Sequence, residues 1–456
     1  MLADTLGFDP AWLESEQGLA FCVGNYLPAV ADPIAAVYAG HQFGGWSRRL
    51  GDGRALLLGE VIASDGQRYD IQLKGSGRTP YSRGGDGRSP LGPVLREYIV
   101  SEAMAALGVP TTRALAASST GEVVVRESQL PGAILVRIAK SHIRIGTVQY
   151  FAARKDIDSL GILIDHVIQR HYPDCAQTDN PVRALLDSVI AAQAALVAKW
   201  QALGFIHGVM NTDNMLLTGE TIDYGPCAFM DGFDVNAVYS SIDRDGRYAY
   251  SNQPGIAQWN LAQLTQALLP LLDVNEEKAL ASGQEAIDAF PDLYRAENER
   301  NMRAKLGLAN NHSESIKLVE KLLELMQEHT VDYTLAFRHL AEIANPEGSL
   351  NRSVSSFFEF PAAFAPWIER WSQILSEERD NKNASVRNMM KVNPIYIPRN
   401  HLVEDAIEAA TKRQDFQLFH ILVDTLANPC KFDTDAQELA LPPTPEQIVQ
   451  QTFCGT

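Results

Sequence analysis

The hydrophobic period changes once along this chain, and that change limits the folds open to it. From about residue 40 to 140 glycine is frequent and apolar residues fall in short β-patterned runs, Arg54 to Ile62, Arg68 to Lys74, Glu122 to Arg126 and Ala133 to Ala139. After residue 155 the spacing is helical, first from Asp187 to Leu203 and then from Leu261 nearly to the end. Val319, Leu322, Leu323 and Met326 form one apolar stripe, and the segments 361–376, 402–412 and 416–427 repeat the habit; such stripes pack helices together rather than line a cofactor. The strand-rich part holds one strong helix signal, Pro93 to Gly108, with Pro near its start, Gly past its end, and Leu95, Tyr98, Ile99 and Met104 at helical spacing. Strands gathered before helices predict an α+β fold with a sheet-rich N-terminal lobe, a helical C-terminal lobe and a helical extension.

At 456 residues the chain is long enough for a large core divided among two or three packed subdomains. No repeat or low-complexity linker separates them, and the Pro-rich stretch Leu441 to Pro445 marks a loose tail. The formal charge of −17 sets up a repulsive field toward phosphate backbones and anionic lipid, so neither nucleic acid nor membrane is expected as a partner. A local basic pocket is compatible with it. Five cysteines, Cys22, Cys175, Cys227, Cys430 and Cys454, have neither zinc-site spacing nor the density of a disulfide framework, and His41 and the other histidines form no H-x3-H or H-E-x-x-H pattern. No apolar run approaches bilayer length, and MLADTLGFDPAW lacks a basic leader. These features predict a soluble, cytoplasmic protein in a reducing compartment; a monomer is compatible with them.

The chemistry concentrates in residues 207–235, rich in Asn, Asp and Gly around two strand-like runs, Asn214 to Leu217 and Glu220 to Asp223. His207-Gly-Val-Met-Asn-Thr-Asp-Asn214 precedes Asp223-Tyr-Gly225. In a protein-kinase catalytic loop the His is followed two places on by a proton-accepting Asp and, five further, by a metal-binding Asn. Here Asn214 is in register, but Val209 stands where the Asp belongs, and a carboxylate appears at Asp213 instead. Asn214 and Asp223 are a hard-oxygen pair suited to magnesium or manganese beside nucleotide phosphates. Asp213 can act as a general base or as a turn or capping residue.

Upstream elements fall in the same order as in a kinase. Lys74 ends an alternating strand, where a point charge can hold phosphate, and Glu97 lies on the helix that follows, placed to pair with it. Gly51-Asp-Gly-Arg54 can bring backbone N–H groups to a phosphate or form an ordinary hairpin turn. The loop from Gly75 to Arg88 holds three arginines and five glycines in fourteen residues, fit for an anion or for a mobile surface. Arg137 and Arg144, with Lys140 between them, suit a triphosphate tail or a strand-edge cluster. Cys454 on the tail could exchange with another thiol such as Cys227, or be inert.

Assembled, these stretches resemble the selenoprotein O family of protein adenylyltransferases over nearly the whole chain. The resemblance rests on Gly40-HQFG-Gly45, Leu50-GDGR-Ala55, Leu73-KGSGRTPYSR-Gly84, Gly108-VPTTRAL-Ala116, His207-GVMNTDN-Met215 and Ile222-DYGP-Cys227. It implies a protein-kinase-like two-lobed fold divided at about 1–140, 141–270 and 271–456. It also implies ATP bound in reverse, so that AMP rather than phosphate passes to Ser, Thr or Tyr hydroxyls of proteins, the enzyme itself included. Carried over by motif, nucleotide contacts fall on Gly51, Gly53, Arg54, Lys74, Asp86, Gly87, Arg137 and Arg144, with Glu97 as the partner of Lys74. The proton acceptor falls on Asp213 and the ligands of Mg2+ or Mn2+ on Asn214 and Asp223, with Asp223 also at the nucleotide. Two departures stand out: Gly92, between Pro90 and Pro93, replaces a basic residue, and the tail carries Cys454 alone rather than selenocysteine or a Cys-x-Cys end. A redox role for that tail is an expectation of the resemblance. Phosphoryl transfer by an atypical kinase, UMP transfer from UTP with manganese, and a pseudokinase scaffold that only binds nucleotide are the competing readings.

Overall fold

A computed structural model describes residues 2–308, 314–345, 354–377 and 382–453. Three short helices open the chain, α1 (Leu2–Leu6), α2 (Pro10–Leu13) and α3 (Glu16–Cys22). Asp9 and Ser15 start the second and third by accepting the N–H groups of Ala11 and Gly18. A separate hairpin follows, β1 (Val37–Gln42) with β2 (Gly45–Gly51).

The main sheet among the described residues has five antiparallel strands: β3 (Ala55–Ile62), β4 (Arg68–Lys74), β5 (Ser89–Pro90), β6 (Arg113–Val125) and β7 (Gln129–Ala139). β7 lies between β4 and β6, which sets Gln72 opposite Arg137 and Lys74 opposite Leu135. Ile71, Leu73, Ile134, Val136 and Ile138 join Leu6, Phe21 and Cys22 in one apolar cluster, so the short N-terminal helices cover that face. The opposite face of β4 is buried as well, at Asp70 and Gln72. Polar residues buried on a central strand need partners, and those partners belong to the site described below. β6 starts earlier than its pattern predicts; the weakly apolar Ala114–Ser119 is held by its pairing with β7.

Helix α4 (Leu91–Ala106) joins the sheet to the rest of the fold. Leu95, Ile99 and Met104 are buried as expected, but Arg96 and Glu97 are buried too. Two different partners bury them: Glu97 faces the sheet, where Lys74 and Arg137 hold it, and Arg96 pairs with Glu404 in the C-terminal extension, which packs on α4. Gly92 belongs to that contact, since a Cβ there would stand 2.9 Å from Ile407 Cγ2.

The helical part begins before residue 155, with α5 (Ile145–Ala152), α6 (Ile157–His171) and α7 (Pro181–Leu203). Asn180 caps α7 by accepting the Arg183 N–H, Pro181 occupies its first turn, and Gly204 ends it at φ +68°. This helix is long and apolar enough to cross a membrane by length and composition, which corrects the reading that no run approached that length. Arg183, Asp187 and Lys199 interrupt the run in the sequence. Leu185, Leu186, Val189, Ile190, Val197 and Trp200 instead fill a core shared with α5, α6 and α8 (Gln253–Leu272).

Two residue pairs, Phe205 with Phe229 and Ile206 with Ala228, make the short strands β8 (Phe205–Ile206) and β9 (Ala228–Phe229) and staple the ends of the Asn- and Asp-rich interval. The strand-like runs expected inside it are not strands. Thr212–Asn214 forms a 3-10 turn, and Leu216 and Thr221 make single bridges to Arg144 and Thr111. The backbone of this interval is satisfied by other loops: Leu217 N–H donates to Ile143 O, and Thr221 N–H to Pro110 O.

The remaining helices are α9 (Glu276–Asp288), α10 (Phe290–Leu306), α11 (Ser315–His329), α12 (Tyr333–Ile343), α13 (Ala365–Glu377), α14 (Lys382–Val392), α15 (Asn400–Arg413) and α16 (Gln417–Leu426). Leu322 and Met326 of the expected stripe sit in a core with Phe337, Leu340 and Trp371, and Val319 and Leu323 flank it. Val403, Ala406, Ala410 and Leu422 meet Leu91, Leu95 and Ile99 of α4. Arg399, fully buried, ties this extension inward by pairing with Asp231 and, at 2.9 Å, with Asp332.

Candidate functional site

Lys74 closes β4, and its Nζ donates to Glu97 Oε2 at 2.6 Å and to Asp223 Oδ1 at 2.8 Å. Arg137 comes from the neighbouring strand at the register position of Gln72. It donates Nε to Glu97 Oε1 at 2.8 Å, Nη1 to Gln72 Oε1 at 3.2 Å, and Nη2 to Asp223 Oδ1 at 2.6 Å. Arg144 sits just before α5; its Nη1 donates to Asp223 Oδ2 at 3.1 Å and to the Asp213 carbonyl at 2.7 Å, while Nη2 lies 3.4 Å from Asp52 Oδ1. The guanidinium carbon of Arg144 stands 4.7 Å from the centre of the Tyr38 ring. Three cations thus face three carboxylates, Glu97, Asp223 and Asp52. Such a cluster is stable only while it balances, because an unmatched charge away from water is costly.

The electrostatics follow from that arrangement. Burial alone would raise the Asp223 carboxyl, but Lys74, Arg137 and Arg144 together hold it well below the ordinary range. Glu97 is likewise pulled down against burial by Arg137 and Lys74. Asp223 adopts φ +64°, a left-handed conformation that non-glycine residues seldom occupy, so the backbone itself is bent to present this side chain.

Asp213 differs from them. Burial raises its carboxyl above the ordinary value, against the lowering effect of Gln42, Arg144 and its own backbone. Its Oδ2 accepts the Gln42 amide at 3.0 Å, and its Oδ1 is buried with no hydrogen-bond partner. Asn214 donates Nδ2 to the Val209 carbonyl at 3.0 Å, which leaves its amide oxygen for a hard cation. Among the described residues no group of three or more His, Cys, Asp or Glu side chains could hold a metal. The Asn214 amide oxygen and the Asp223 carboxylate are donors of the hard-oxygen type that Mg2+ or Mn2+ takes, and the Asp223 oxygens accept from Lys74, Arg137 and Arg144 in this structure. His207 is buried; it accepts the Val209 N–H on Nδ1 at 3.3 Å and bonds the Ile222 carbonyl through Nε2 at 2.8 Å. It ties the Asp213 turn to the segment that carries Asp223.

The glycine-rich elements are stacked on each other. A Cβ on Gly51 would stand 2.4 Å from the Tyr81 ring, and one on Gly53 2.9 Å from the Tyr81 carbonyl. Thr79 Oγ1 donates to the Asp52 carbonyl at 2.6 Å, Ser82 Oγ bonds the Gly53 carbonyl, and the Arg54 carbonyl accepts the Gly75 N–H. Asp86 is pinned at 2.8 Å by Arg126, whose hydrogen bonds bring its carboxyl down to about 2. Gly87, at φ +68°, lies so close to Gly77 that a Cβ would meet its carbonyl oxygen at 2.0 Å.

The structure thus gathers Lys74, Glu97, Arg137, Arg144, Asp213, Asn214 and Asp223 in one place, with Gly51, Gly53 and Arg54 flanking Asp52 at its edge. Asp86 and Gly87 belong to the neighbouring loop, where their contacts are with Arg126, Arg88 and Gly77. Lys140 does not join the arginines: its side chain is exposed, and its N–H donates to Glu220. Arg137 is on an inner strand rather than a sheet edge, with a side chain 1% exposed. Cys227 is buried and its thiol pushed up to about 12, which makes it a poor partner for exchange, and Cys454 lies outside the described residues. Asp52 and Gln42, which no motif spacing marks, join the site from within Gly51-Asp-Gly-Arg54 and Gly40-HQFG-Gly45. Their polarity between glycines was the available signal.

Comparison with known proteins gives a consistent result. A family described as "Protein adenylyltransferase SelO" matches residues 1–427. A "Protein nucleotidyltransferase YdiU" of Rhodopseudomonas palustris (strain BisB5) is 53% identical over 455 residues, covering 100% of this chain and 92% of the relative. Its counterpart from Rhizobium leguminosarum bv. trifolii (strain WSM2304) is 52% identical, covering 100% and 91%. That of Methylorubrum extorquens is 53% identical over 460 residues, covering 100% and 92%.

Proposed function

The chain belongs to the SelO family of protein adenylyltransferases and is a protein nucleotidyltransferase; from that premise we propose that it transfers AMP from ATP to Ser, Thr or Tyr hydroxyls of proteins, its own included. In this reading the fold is kinase-like, with residues 1–140 as nucleotide-binding lobe, 141–270 as the core of the second lobe and 271–456 as helical extension. ATP lies reversed relative to a kinase, so that its α-phosphate meets Asp213.

The observation that carries the reading is the buried, half-partnered carboxylate of Asp213 beside the Lys74–Arg137–Arg144 cluster, with Val209 at the usual kinase base position. Asp213 accepts the proton of an acceptor hydroxyl. The hydroxyl oxygen then bonds to the α-phosphorus as the α–β P–O bond breaks, and pyrophosphate leaves with that electron pair. Triphosphate oxygens compete with Glu97, Asp223 and Asp52 for Lys74, Arg137 and Arg144, whose positions are fixed before any nucleotide arrives. Gly51, Gly53 and Arg54 flank Asp52 at the same space, and Asp86 and Gly87 would reach the nucleotide from the Gly75–Arg88 loop. Asn214 and Asp223 would hold Mg2+ or Mn2+, and such an ion supplies charge stabilisation at the phosphates.

Intact-protein mass spectrometry with α- and γ-labelled ATP tests this. AMP-sized increases that retain the α label are expected. Retention of the γ label would make the chain a kinase, and nucleotide binding without any adduct would leave a scaffold. UTP with Mn2+ in a parallel reaction decides between AMP and UMP.

A further inference from the structure

β1 does more than border the nucleotide site. Tyr38, Gly40 and Gln42 alternate along it, so their side chains share one face, and that face meets the turn carrying Asp213. Tyr38 lies against Arg144, and Gln42 Nε2 donates to Asp213 Oδ2 at 3.0 Å. A Cβ on Gly40 would stand 3.3 Å from Asp213 Oδ1 and 2.9 Å from Thr212 Oγ1. The hairpin is registered on this turn at two further points, His41 N–H to Thr212 Oγ1 at 2.8 Å and Phe43 N–H to Asn211 Oδ1 at 3.0 Å. Tyr248 OH donates to the same Asn211 oxygen at 2.7 Å.

One oxygen of the carboxylate is therefore held by a neutral amide, and the other is left next to a residue with no side chain. A buried carboxylate oxygen without a partner is costly and uncommon. An acceptor hydroxyl is a group that would satisfy it, and the absence of a side chain at Gly40 keeps that oxygen from being crowded.

We propose that Gln42 is a positioning residue for the transfer reaction: its amide fixes Asp213 through Oδ2 so that Oδ1 is the oxygen that takes the acceptor's proton. The proposal rests on Asp213 being the proton acceptor. Gln42 touches neither the cation cluster nor Asn214 or Asp223 in the structure, so its effect should be confined to turnover.

The test is a double-mutant cycle on the full chain, with AMP incorporation as the rate and ATP affinity measured separately. Q42L should lower kcat about 10–100-fold, a fraction of what a general base contributes, while the KM and the affinity for ATP stay within twofold. D213N should lose more, and D213N/Q42L should be no slower than D213N, because the amide then has no base to position. If the double variant is slower than D213N by the factor seen for Q42L alone, Gln42 acts independently of Asp213 and the proposal is wrong. Weakened ATP binding in Q42L equal to its loss of rate would make Gln42 merely structural and also overturn it. Q42M, which keeps the stem length, gives the same comparison should Leu unsettle the hairpin. An inactive D213N beside a fully active Q42L removes the Gln42 proposal alone, whereas a fully active D213N removes both it and the assignment of Asp213.

Discussion

Asp223→Asn separates shape from charge at the centre of the site. The Asn is isosteric, but the cluster loses one of the three carboxylates that face Lys74, Arg137 and Arg144. Lys74 and Arg137 approach Asp223 Oδ1 at 2.8 and 2.6 Å, and Arg144 approaches Oδ2 at 3.1 Å. At such distances each contact is worth about 5–6 kcal/mol of gross attraction at an effective dielectric constant of ~20. Most of that is offset by desolvation, and the cost of leaving a buried charge unmatched is about 3–5 kcal/mol. The lower end applies here, because Lys74 and Arg137 keep Glu97 and Arg144 keeps Asp52. At roughly 1 °C per kcal/mol for a chain of this size, the melting temperature should fall by roughly 3 °C.

The same variant carries one uncompensated positive charge, and an anion can restore the balance. In EDTA, tripolyphosphate should therefore raise the melting temperature of D223N more than that of the parent, and low salt should widen the difference. AMP transfer should be lost. Thermal melts with and without tripolyphosphate decide the matter. A variant that melts with the parent, or gains no more from the anion than the parent does, would refute the view that the cluster is charge-balanced and open to phosphate on those cations.

Two further changes test parts outside the reaction. Arg399→Met removes the cation shared by Asp231 and Asp332 and leaves two carboxylates facing each other with little water; a loss of about 3–5 kcal/mol is expected, read as a lower melt and faster proteolysis around α15 and α16. Burial holds the Glu220 carboxyl up at about 7 from an ordinary 4.5, against the counteracting Lys140. The folded state thus prefers the neutral form, so its stabilising effect is complete below pH 4.5 and lost as the pH rises through 7. Glu220→Gln is neutral throughout and should melt higher than the parent at pH 8, by at most about 3 kcal/mol at ~1.4 kcal/mol per pH unit, with the advantage vanishing near pH 4.5. An advantage that does not change with pH would contradict that account.

The sequence showed the elements that local physics dictates and obscured those decided at a distance. β4 follows from alternation and appears where that pattern puts it, and the apolar spacing from Asp187 to Leu203 marks the body of α7, which the Asn180 cap and Pro181 begin six residues earlier. The runs Asn214–Leu217 and Glu220–Asp223 have strand composition, yet their backbone groups are taken up by residues 110–112 and 143–145, which no local pattern announces. α4 looked like a one-sided helix because its second partner, α15 and α16, lies some three hundred residues further along. At the site, residue types with distinctive chemistry were legible: Lys74, Glu97, Arg137, Arg144, Asp213, Asn214 and Asp223 converge. Asp52 and Gln42 were not, since an Asp between glycines and a Gln on a short strand acquire meaning only from what they face. The arginines changed character in a similar way: a Lys- and Arg-rich stretch suggested an exposed basic cluster, whereas Arg137 and Arg144 point inward onto carboxylates and Lys140 points out.

That inward pairing bears on the vacant place in the His207 motif. Val209 is buried, and its carbonyl holds the Asn214 amide while its N–H meets His207. A carboxylate at this position would be buried beside His207 and Asn214, with desolvation to overcome. At Asp213 the backbone carbonyl is bonded by Arg144, one carboxylate oxygen is bonded by Gln42, and the residue adjoins Asn214 in the same turn. A base at Asp213, as proposed, is coupled to the cation cluster through Arg144 and to the hairpin through Gln42. In the proposed reaction a change in which phosphate reacts goes with a change in where the proton goes, and the 3-10 turn at Thr212–Asn214 sets Asp213 and Asn214 side by side.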